Sequence, residues 1–271
     1  MNKKNIRFIA ADMDGTLLDE GGQLDPAFFP LYQKLADENI IFCAASGRQY
    51  FSLTSLFKPV AENMMFIAEN GALVMHQGKE IFSSTMERNS TFDIIRQAKS
   101  IENVHVVLCG KKSAYIDTPC PDAMAEIKKY YFECQVVDDL FNVEDEFIKV
   151  AILHFEGSEQ MIYPTIDSAF GKDYKVVLSS KIWLDVMNTS ASKGAAIEHL
   201  QKTLGFSYEE TMSFGDYFND VEMLEASYYS YAMENAHPGV KLYARNIAPS
   251  NTEGGVIRVI EQYLANIQAN N

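Results

Sequence analysis

The stretch Ile6-Arg7-Phe8-Ile9-Ala10-Ala11-Asp12-Met13-Asp14-Gly15-Thr16 decides how this chain is read. The apolar run Ile6 to Ala11 has the length and composition of a buried strand. Two carboxylates follow at i and i+2, positions that share one side of an extended backbone. Gly15 then lets the chain turn sharply. Acids at the end of a hydrophobic strand are costly to place there without a cation or a reaction to serve. The pattern points to a Mg²⁺-assisted site with a nucleophilic aspartate and a neighbouring acid/base. It does not fit a calcium loop of the EF-hand kind. Counted from Asp12, position five is Thr16 and position twelve is Gln23, where such a loop needs Asp or Asn and then Glu. An ordinary turn would not need the strand in front of it.

Composition narrows the class. The 271 residues allow one large domain or two ordinary ones, and 47% are hydrophobic, enough for a sizeable core. No stretch of the length needed to span a bilayer is continuously apolar, so no transmembrane helix is expected. The N-terminal residues run straight into the first strand, with no separate signal-peptide segment. Cys43, Cys109, Cys120 and Cys134 form no CxxC pair, which suggests a reducing, cytoplasmic setting. The formal charge of −14 disfavours nucleic acid and anionic membranes. Any site for a phosphate must therefore be made locally positive by a metal, a few basic side chains and helix N-termini.

Alternation of strands and helices surrounds a different middle. After the first strand, Asp25-Pro26 predicts a helix start, with Phe28, Leu31, Tyr32 and Leu35 on its apolar face. A second strand, Ile40 to Ala45, ends in Ser46-Gly47-Arg48. A helix through Tyr50, Leu53 and Phe57 follows, and then a third strand from Met64 to Ala68. Such alternation predicts an α/β fold: a doubly wound, Rossmann-like parallel sheet with helices on both faces. Ligands bind such sheets at the carboxyl ends of the strands. Ala72–Met75 and Lys79–Ser83 read as a hairpin leading out of the core. From 84 to 187 the pattern changes to a separate α/β insert, with helices near Thr91–Ser100 and Asp122–Phe132. Its strands are expected at Val104–Cys109, Ala114–Ile116, Phe147–Phe155 and Lys175–Leu178. The insert carries 11 basic and 17 acidic residues, so it is no nucleic-acid arm. Glu144-Asp145-Glu146 reads as a solvated turn. The core pattern resumes with a helix from Ser192, a strand Thr211–Phe214, a helix through Val221–Leu224, a strand near Tyr229–Ala232 and a C-terminal helix bearing Val256, Val259, Ile260 and Tyr263. The division is thus a core of 1–83 and 188–271 with an inserted domain of 84–187.

Three further pieces sit where strands end. Ser46-Gly47-Arg48 offers a hydroxyl and backbone N–H groups at a strand-to-helix junction, which suits a phosphate or a simple N-cap. Lys193 opens a helix, where a cation opposes the macrodipole. A phosphate or carboxylate would compensate it, and a solvent-pointing lysine would not need compensation. Gly215-Asp216 with Asn219-Asp220 again places acids after a buried strand. Asp216 can share a divalent cation with Asp12, while one of Asn219 and Asp220 can cap the next helix. Cys120, Tyr130, His154 and Trp183 of the insert line a pocket or fill a core, and core is the commoner fate of such residues.

Together these pieces resemble the haloacid dehalogenase superfamily of phosphotransferases. The matching motifs stand in order: Asp12-Met13-Asp14-Gly15-Thr16, Ser46-Gly47-Arg48, the helix lysine Lys193, and Gly215-Asp216-Tyr217-Phe218-Asn219-Asp220. The insert resembles the α/β cap of the Cof-like branch. Further segments look like that branch: Glu69-Asn70-Gly71-Ala72, Ser192-Lys193-Gly194, Ala232-Met233-Glu234-Asn235-Ala236 and Asn251-Thr252-Glu253-Gly254-Gly255-Val256, with Glu234 standing where the family often has glycine. The resemblance implies a phosphatase acting on small phosphomonoesters such as sugar phosphates or phosphorylated cofactors. Asp12 would be the nucleophile and Asp14 the acid/base. Mg²⁺ would be held by Asp12, the Asp14 carbonyl and Asp216. Lys193, Ser46, Gly47, Arg48 and Asn219 would bind the phosphorylated metabolite. Asp220 would orient Lys193 or the metal waters, and Thr16 would support the loop. Aspartate at 14, where related transport ATPases carry threonine, implies hydrolysis of the aspartyl phosphate. A hexose phosphomutase, a dedicated sugar-phosphate phosphatase and a non-catalytic phosphometabolite binder are the alternatives. Monomer and weak dimer both stay open.

Overall fold

The computed structural model describes residues 5–269. The first run places β1 at Phe8–Ala11, α1 at Phe28–Asp37, β2 at Ile41–Ala45, α2 at Tyr50–Leu56, β3 at Met65–Ala68, β4 at Leu73–His76 and β5 at Lys79–Ser83. The middle contributes α3 (Arg88–Lys99), β6 (His105–Gly110), β7 (Ala114–Ile116), α4 (Pro121–Ile127), β8 (Cys134–Val136), β9 (Phe147–Leu153), α5 (Ser158–Met161), α6 (Tyr163–Phe170), β10 (Tyr174–Leu178) and β11 (Trp183–Asn188). The chain then returns through α7 (Lys193–Leu204), β12 (Thr211–Gly215), α8 (Val221–Glu225), β13 (Tyr229–Met233), α9 (Pro238–Lys241), β14 (Asn246–Ala248) and α10 (Gly255–Gln268). No described helix is long and apolar enough to cross a membrane.

Two compact units result. One holds the described residues of Met1–Gly47, Leu53–Phe82 and Ser192–Asn271, and the other holds Arg48–Ser52 and Ser83–Ala191. The short segment Arg48–Ser52 groups with the inserted unit through its side chains. The Gln49 carboxamide donates to the Glu133 carbonyl and accepts from the Glu133 N–H, at 2.8 and 3.0 Å. The Ser52 hydroxyl donates to the Tyr130 carbonyl at 2.8 Å.

The first unit is the doubly wound α/β core. Its sheet runs β14-β13-β12-β1-β2-β3-β4-β5. The strands from β14 to β3 are parallel, and β4 turns back antiparallel on β3. The hairpin therefore extends the core sheet, where the sequence pattern had it leading away. Its turn fits the expectation, with Gln77 and Gly78 both at positive φ (52° and 70°). β1 lies between β2 and β12, so the chain leaves to one side of it and returns on the other. That reversal opens the crevice where open α/β sheets bind ligands.

Both faces of this sheet are covered. Phe8, Ala10, Cys43, Ala45, Met65 and Ile67 pack against Ala196, Ile197 and Leu200 of α7. Phe8 stacks on Phe206 with ring centroids 4.7 Å apart. Aromatic rings gather around α1, where Phe28 meets Phe42 at 4.9 Å and Phe57 at 5.2 Å. α1 begins two residues later than Asp25-Pro26 suggested. The Asp25 carboxylate accepts from the Ala27 N–H at 2.9 Å and so holds a turn ahead of the helix.

The inserted unit is a sheet of order β10-β11-β9-β6-β7-β8. One face carries Val106, Leu108, Val150, Ile152, Leu184 and Val186 against Phe92, Ile95 and Ile166 of its helices. The opposite face includes Lys149 and Asp185, both buried, with Nζ 3.6 Å from the carboxylate. β8, β11, α5 and α6 were not read from the sequence. β11 is buried on nearly its whole length, so polarity does not alternate along it. α5 and α6 are short and meet at a proline in the first turn of α6. α4 ends at Ile127, short of the expected Phe132. His154 and Trp183 are buried and Cys120 is half-buried, but Tyr130 is 43% exposed and is not a core residue. Asp145 is more than a solvated turn residue: its carboxylate accepts from the Tyr115 hydroxyl and the Lys112 N–H, both at 3.0 Å.

Phe28 meets four other rings, those of Phe29, Tyr32, Phe42 and Phe57, and is fully buried. Phe28→Ala is expected to lower stability by about 3–5 kcal/mol, measured by urea unfolding. The half-buried Tyr32 on the same helix should lose clearly less as Tyr32→Ala.

Candidate active site

Asp12 is the first residue beyond β1. Its backbone is still extended (φ −64°, ψ 162°), and its N–H donates to the Phe214 carbonyl of β12 at 3.0 Å. Met13–Leu17 then wind into one wide helical turn, closed by Leu17 N–H on the Asp12 carbonyl and Leu18 N–H on the Met13 carbonyl. The expectation that Asp12 and Asp14 share one side assumed an extended chain through both. The turn instead gives them different surroundings: Asp12 is 6% exposed, whereas Asp14 is open to solvent.

Lys193 is the first residue of α7 and is fully buried. Its Nζ lies 2.5 Å from Asp12 Oδ1 and 2.6 Å from Asp220 Oδ1. The carboxylate alternative for a lysine opposing the helix dipole is thus the one realised. Ser192 caps the same helix, its hydroxyl accepting from the Ala195 N–H at 3.0 Å. Asp220 uses both oxygens: its Oδ2 accepts from the N–H groups of Asp216 (2.9 Å) and Tyr217 (3.2 Å). It therefore holds Lys193 with one oxygen and folds its own loop with the other. Asp216 accepts from the Thr16 hydroxyl at 3.0 Å. Gly15 makes that approach feasible, because a Cβ there would lie 2.5 Å from Asp216 Oδ2.

One carboxylate oxygen from each of Asp12, Asp216 and Asp220 lies within 4.8 Å of the others. Three carboxylates face one ammonium, so negative charge is in excess. Burial first, and then the Asp220 carboxylate, drives the Asp12 carboxyl well above its ordinary range against the pull of Lys193. Burial and Asp220 likewise push Asp216 up to about 6. Burial by itself would lower the Lys193 ammonium, but Asp12 and Asp220 hold it above an ordinary lysine. With Lys193 protonated, the crowded carboxylates of Asp12, Asp216 and Asp220 are the available donors, an all-oxygen set that fits a hard divalent cation.

A second group flanks this cluster. Ser46 is buried at the end of β2, and its N–H donates to the Ile67 carbonyl at 2.8 Å. Gly47 follows it. The exposed Asn219 donates through Nδ2 to Asn70 Oδ1 at 3.1 Å. The core unit thus contains Asp12, Asp14, Thr16, Ser46, Gly47, Lys193, Asp216, Asn219 and Asp220, whereas Arg48 falls in the inserted unit.

Some supporting residues carried no assigned role in the sequence reading. Asn235 donates to the Gly15 carbonyl at 2.7 Å and accepts from the Asn251 N–H at 3.0 Å. Asn251 in turn donates to the Leu18 carbonyl at 2.9 Å. Two asparagines from distant loops thereby brace the turn that carries Asp14. Their sequence signals are an amide side chain beside a strand end or a helix start and their place in the segments that resemble the Cof-like branch.

The family model for haloacid dehalogenase-like hydrolases matches residues 9–260. The chain belongs to this family. It is 33% identical, over 262 residues, to the 5-amino-6-(5-phospho-D-ribitylamino)uracil phosphatase YbjI of Escherichia coli, covering 96% of this chain and 97% of that protein. It is 24% identical over 276 residues to the Bacillus subtilis phosphatase YitU, which bears the same enzyme name, covering 95% and 97%. Among solved structures it matches SMU.1108c from Streptococcus mutans with a TM-score of 0.87 and 29% identity, covering 96% of this chain and all of that one. The chain is a phosphatase of this family, with the parallel-sheet core and added α/β unit that its sequence resemblance implied.

Removing Lys193 strands two buried carboxylates. Lys193→Met is expected to lower stability by about 3–5 kcal/mol, measured by urea unfolding without metal. Adding Asp220→Asn should recover part of the loss, because one unpaired charge is then gone. A double variant less stable than Lys193→Met would refute this account.

Proposed function

We propose that this phosphatase hydrolyses small phosphomonoesters through an aspartyl phosphate on Asp12, with Mg²⁺ as cofactor. The observation that carries the reading is the buried Asp12 carboxylate held by Lys193, with Asp216 beside it and charge left to neutralise. An oxygen of Asp12 attacks phosphorus as the bond to the ester oxygen breaks. Asp14 gives its proton to that leaving oxygen. Asp14 then takes a proton from water, whose oxygen attacks phosphorus and breaks its bond to Asp12, releasing phosphate. Solvent-facing Asp14 suits this exchange, and buried Asp12 suits a nucleophile that must shed water. Lys193, Ser46 and the backbone N–H groups around Gly47 neutralise the phosphoryl oxygens, and Asn219 holds phosphate or substrate. Asp12, the Asp14 carbonyl and Asp216 would hold Mg²⁺, which supplies positive charge for the phosphoryl group when bound.

The substrate we propose is a phosphorylated sugar, sugar alcohol or related small metabolite. The one ester named for both the Escherichia coli and the Bacillus subtilis relative heads the panel to be tested. Residues 84–187 are assigned the choice of ester as a cap, and 1–83 with 188–271 the chemistry. This division accords with the chemistry-bearing residues Asp12, Lys193, Asp216 and Asp220 all lying outside 84–187. A cytoplasmic setting accords with four free cysteines.

Asp12→Asn is expected to abolish phosphate release from the panel and from an aryl phosphate while the far-UV spectrum stays unchanged. Turnover above a few per cent of wild type, in protein free of deamidation, would remove Asp12 as nucleophile. Chelation should stop the wild-type reaction and added Mg²⁺ restore it; full activity after verified metal removal would sink the metal assignment.

Asp14→Asn separates the acid from the nucleophile. An alkyl ester needs a proton on its leaving oxygen, whereas an aryl ester departs readily without one. General acid catalysis is worth about 10²–10⁴-fold, so single-turnover phosphorylation should fall far more with the alkyl ester. Equal losses with both esters would leave Asp14 without its acid role.

A further inference from the structure

The turn after β3 is strained. Glu69, Asn70 and Gly71 stand in the left-handed region at φ 50°, 54° and 93°. Left-handed backbone is unfavourable for a residue with a Cβ, and two such residues, Glu69 and Asn70, stand here in succession. Strain of this kind persists where the surroundings over-determine it.

The surroundings are three arms of the site. The Asn70 N–H donates to the Ser46 carbonyl at 2.9 Å. The Asn70 carboxamide lies on Gly47, where a Cβ would come 3.0 Å from its Nδ2 and 3.1 Å from its Oδ1. Gly71 is pressed onto the residue that caps α7: a Cβ there would come 2.1 Å from the Ser192 carbonyl oxygen. Finally, Asn70 Oδ1 accepts from Asn219 Nδ2 at 3.1 Å. Asn219 is exposed, so this bond is what gives its side chain one orientation.

We infer that Asn70 is a positioning residue for the phosphoryl group, its carboxamide tying the Asn219 side chain to the Ser46-Gly47 backbone. This rests on the assignment of Ser46, Gly47 and Asn219 to the phosphoryl oxygens. A strained turn is retained because only a left-handed residue at 70 offers its N–H to Ser46 and its carboxamide to Asn219 together. The bond to Asn219 also spares the site the entropy of ordering that side chain when phosphate arrives.

The test compares wild type, Asn70→Gly, Asn219→Ala and the double variant in Mg²⁺. Asn70→Gly keeps the backbone N–H and adopts positive φ without strain, so its thermal midpoint should equal or exceed that of wild type. Its calorimetric Kd for inorganic phosphate should nevertheless weaken by about threefold to tenfold, the worth of one neutral hydrogen bond. KM for an aryl phosphate should rise with it. In the Asn219→Ala background, Asn70→Gly should produce no further weakening, because its effect travels through Asn219. Unchanged phosphate affinity in Asn70→Gly, or equal weakening in both backgrounds, overturns the inference. Should Asn70→Gly fail to fold, Asn70→Ala replaces it in both backgrounds, and failure of both variants to fold overturns it in favour of a purely structural role. Phosphate binding that follows this pattern without wild-type turnover would refute the phosphatase mechanism and leave Asn70 its role. Absence of both binding and turnover in wild type would refute the two together.

Discussion

A buried lysine between two buried aspartates is the constraint around which the core is arranged. Lys193 has no exposed surface, and its ammonium stands where the helix dipole repels it. Taking such a charge out of water costs several kcal/mol unless partners are close and well placed. Asp12 arrives from the end of β1, Lys193 from the start of α7, and Asp220 from the loop after β12. None of these elements can shift without leaving a charge unpaired. The parallel pairing of β1 with β12 fixes two of the three, since Ala11 and Phe214 are register partners.

The same arrangement leaves work for a ligand. Two aspartates balance more than the charge of one lysine, and Asp216 adds a third carboxylate held by Thr16. Burial first, and then the neighbouring Asp220 carboxylate, raises Asp12 and Asp216, so a divalent cation beside them would meet carboxylates that lack compensation. Positive charge entering with the phosphate, as proposed for Mg²⁺, would reconcile an anionic substrate with a chain of net charge −14. Around the charged centre the precision comes from neutral groups. Asn235 and Asn251 join loops through carboxamides that donate and accept at once, and the Asn70 carboxamide accepts from Asn219 across 149 residues of chain.

Much of this was legible in one dimension. Strands buried on both faces read as short apolar runs, and β1, β2, β3 and β12 were found within a residue or two of their ends for that reason. The acids after β1 and β12 stood out because a carboxylate beside an apolar run is physically expensive. Lys193 stood out because it opposes a dipole. β11, α5 and α6 stayed hidden because their periodicity is weak, and the hairpin of β4 and β5 was recognised without its attachment to the sheet.

The sequence by itself determined the strand-and-helix alternation, the place of the acids at strand ends and the family resemblance, because each is written in neighbouring residues. Only the tertiary structure decided which partner Lys193 takes, that Asp220 uses both its oxygens, that Asp12 is buried while Asp14 meets solvent, and that Asn70 meets Asn219. The pairings of Lys193 and of Asn70 join residues 27 to 181 apart in the chain. Local pattern carries no record of such pairings: a lysine at a helix start looks the same whether it faces water or two carboxylates, until the sheet brings those carboxylates to it.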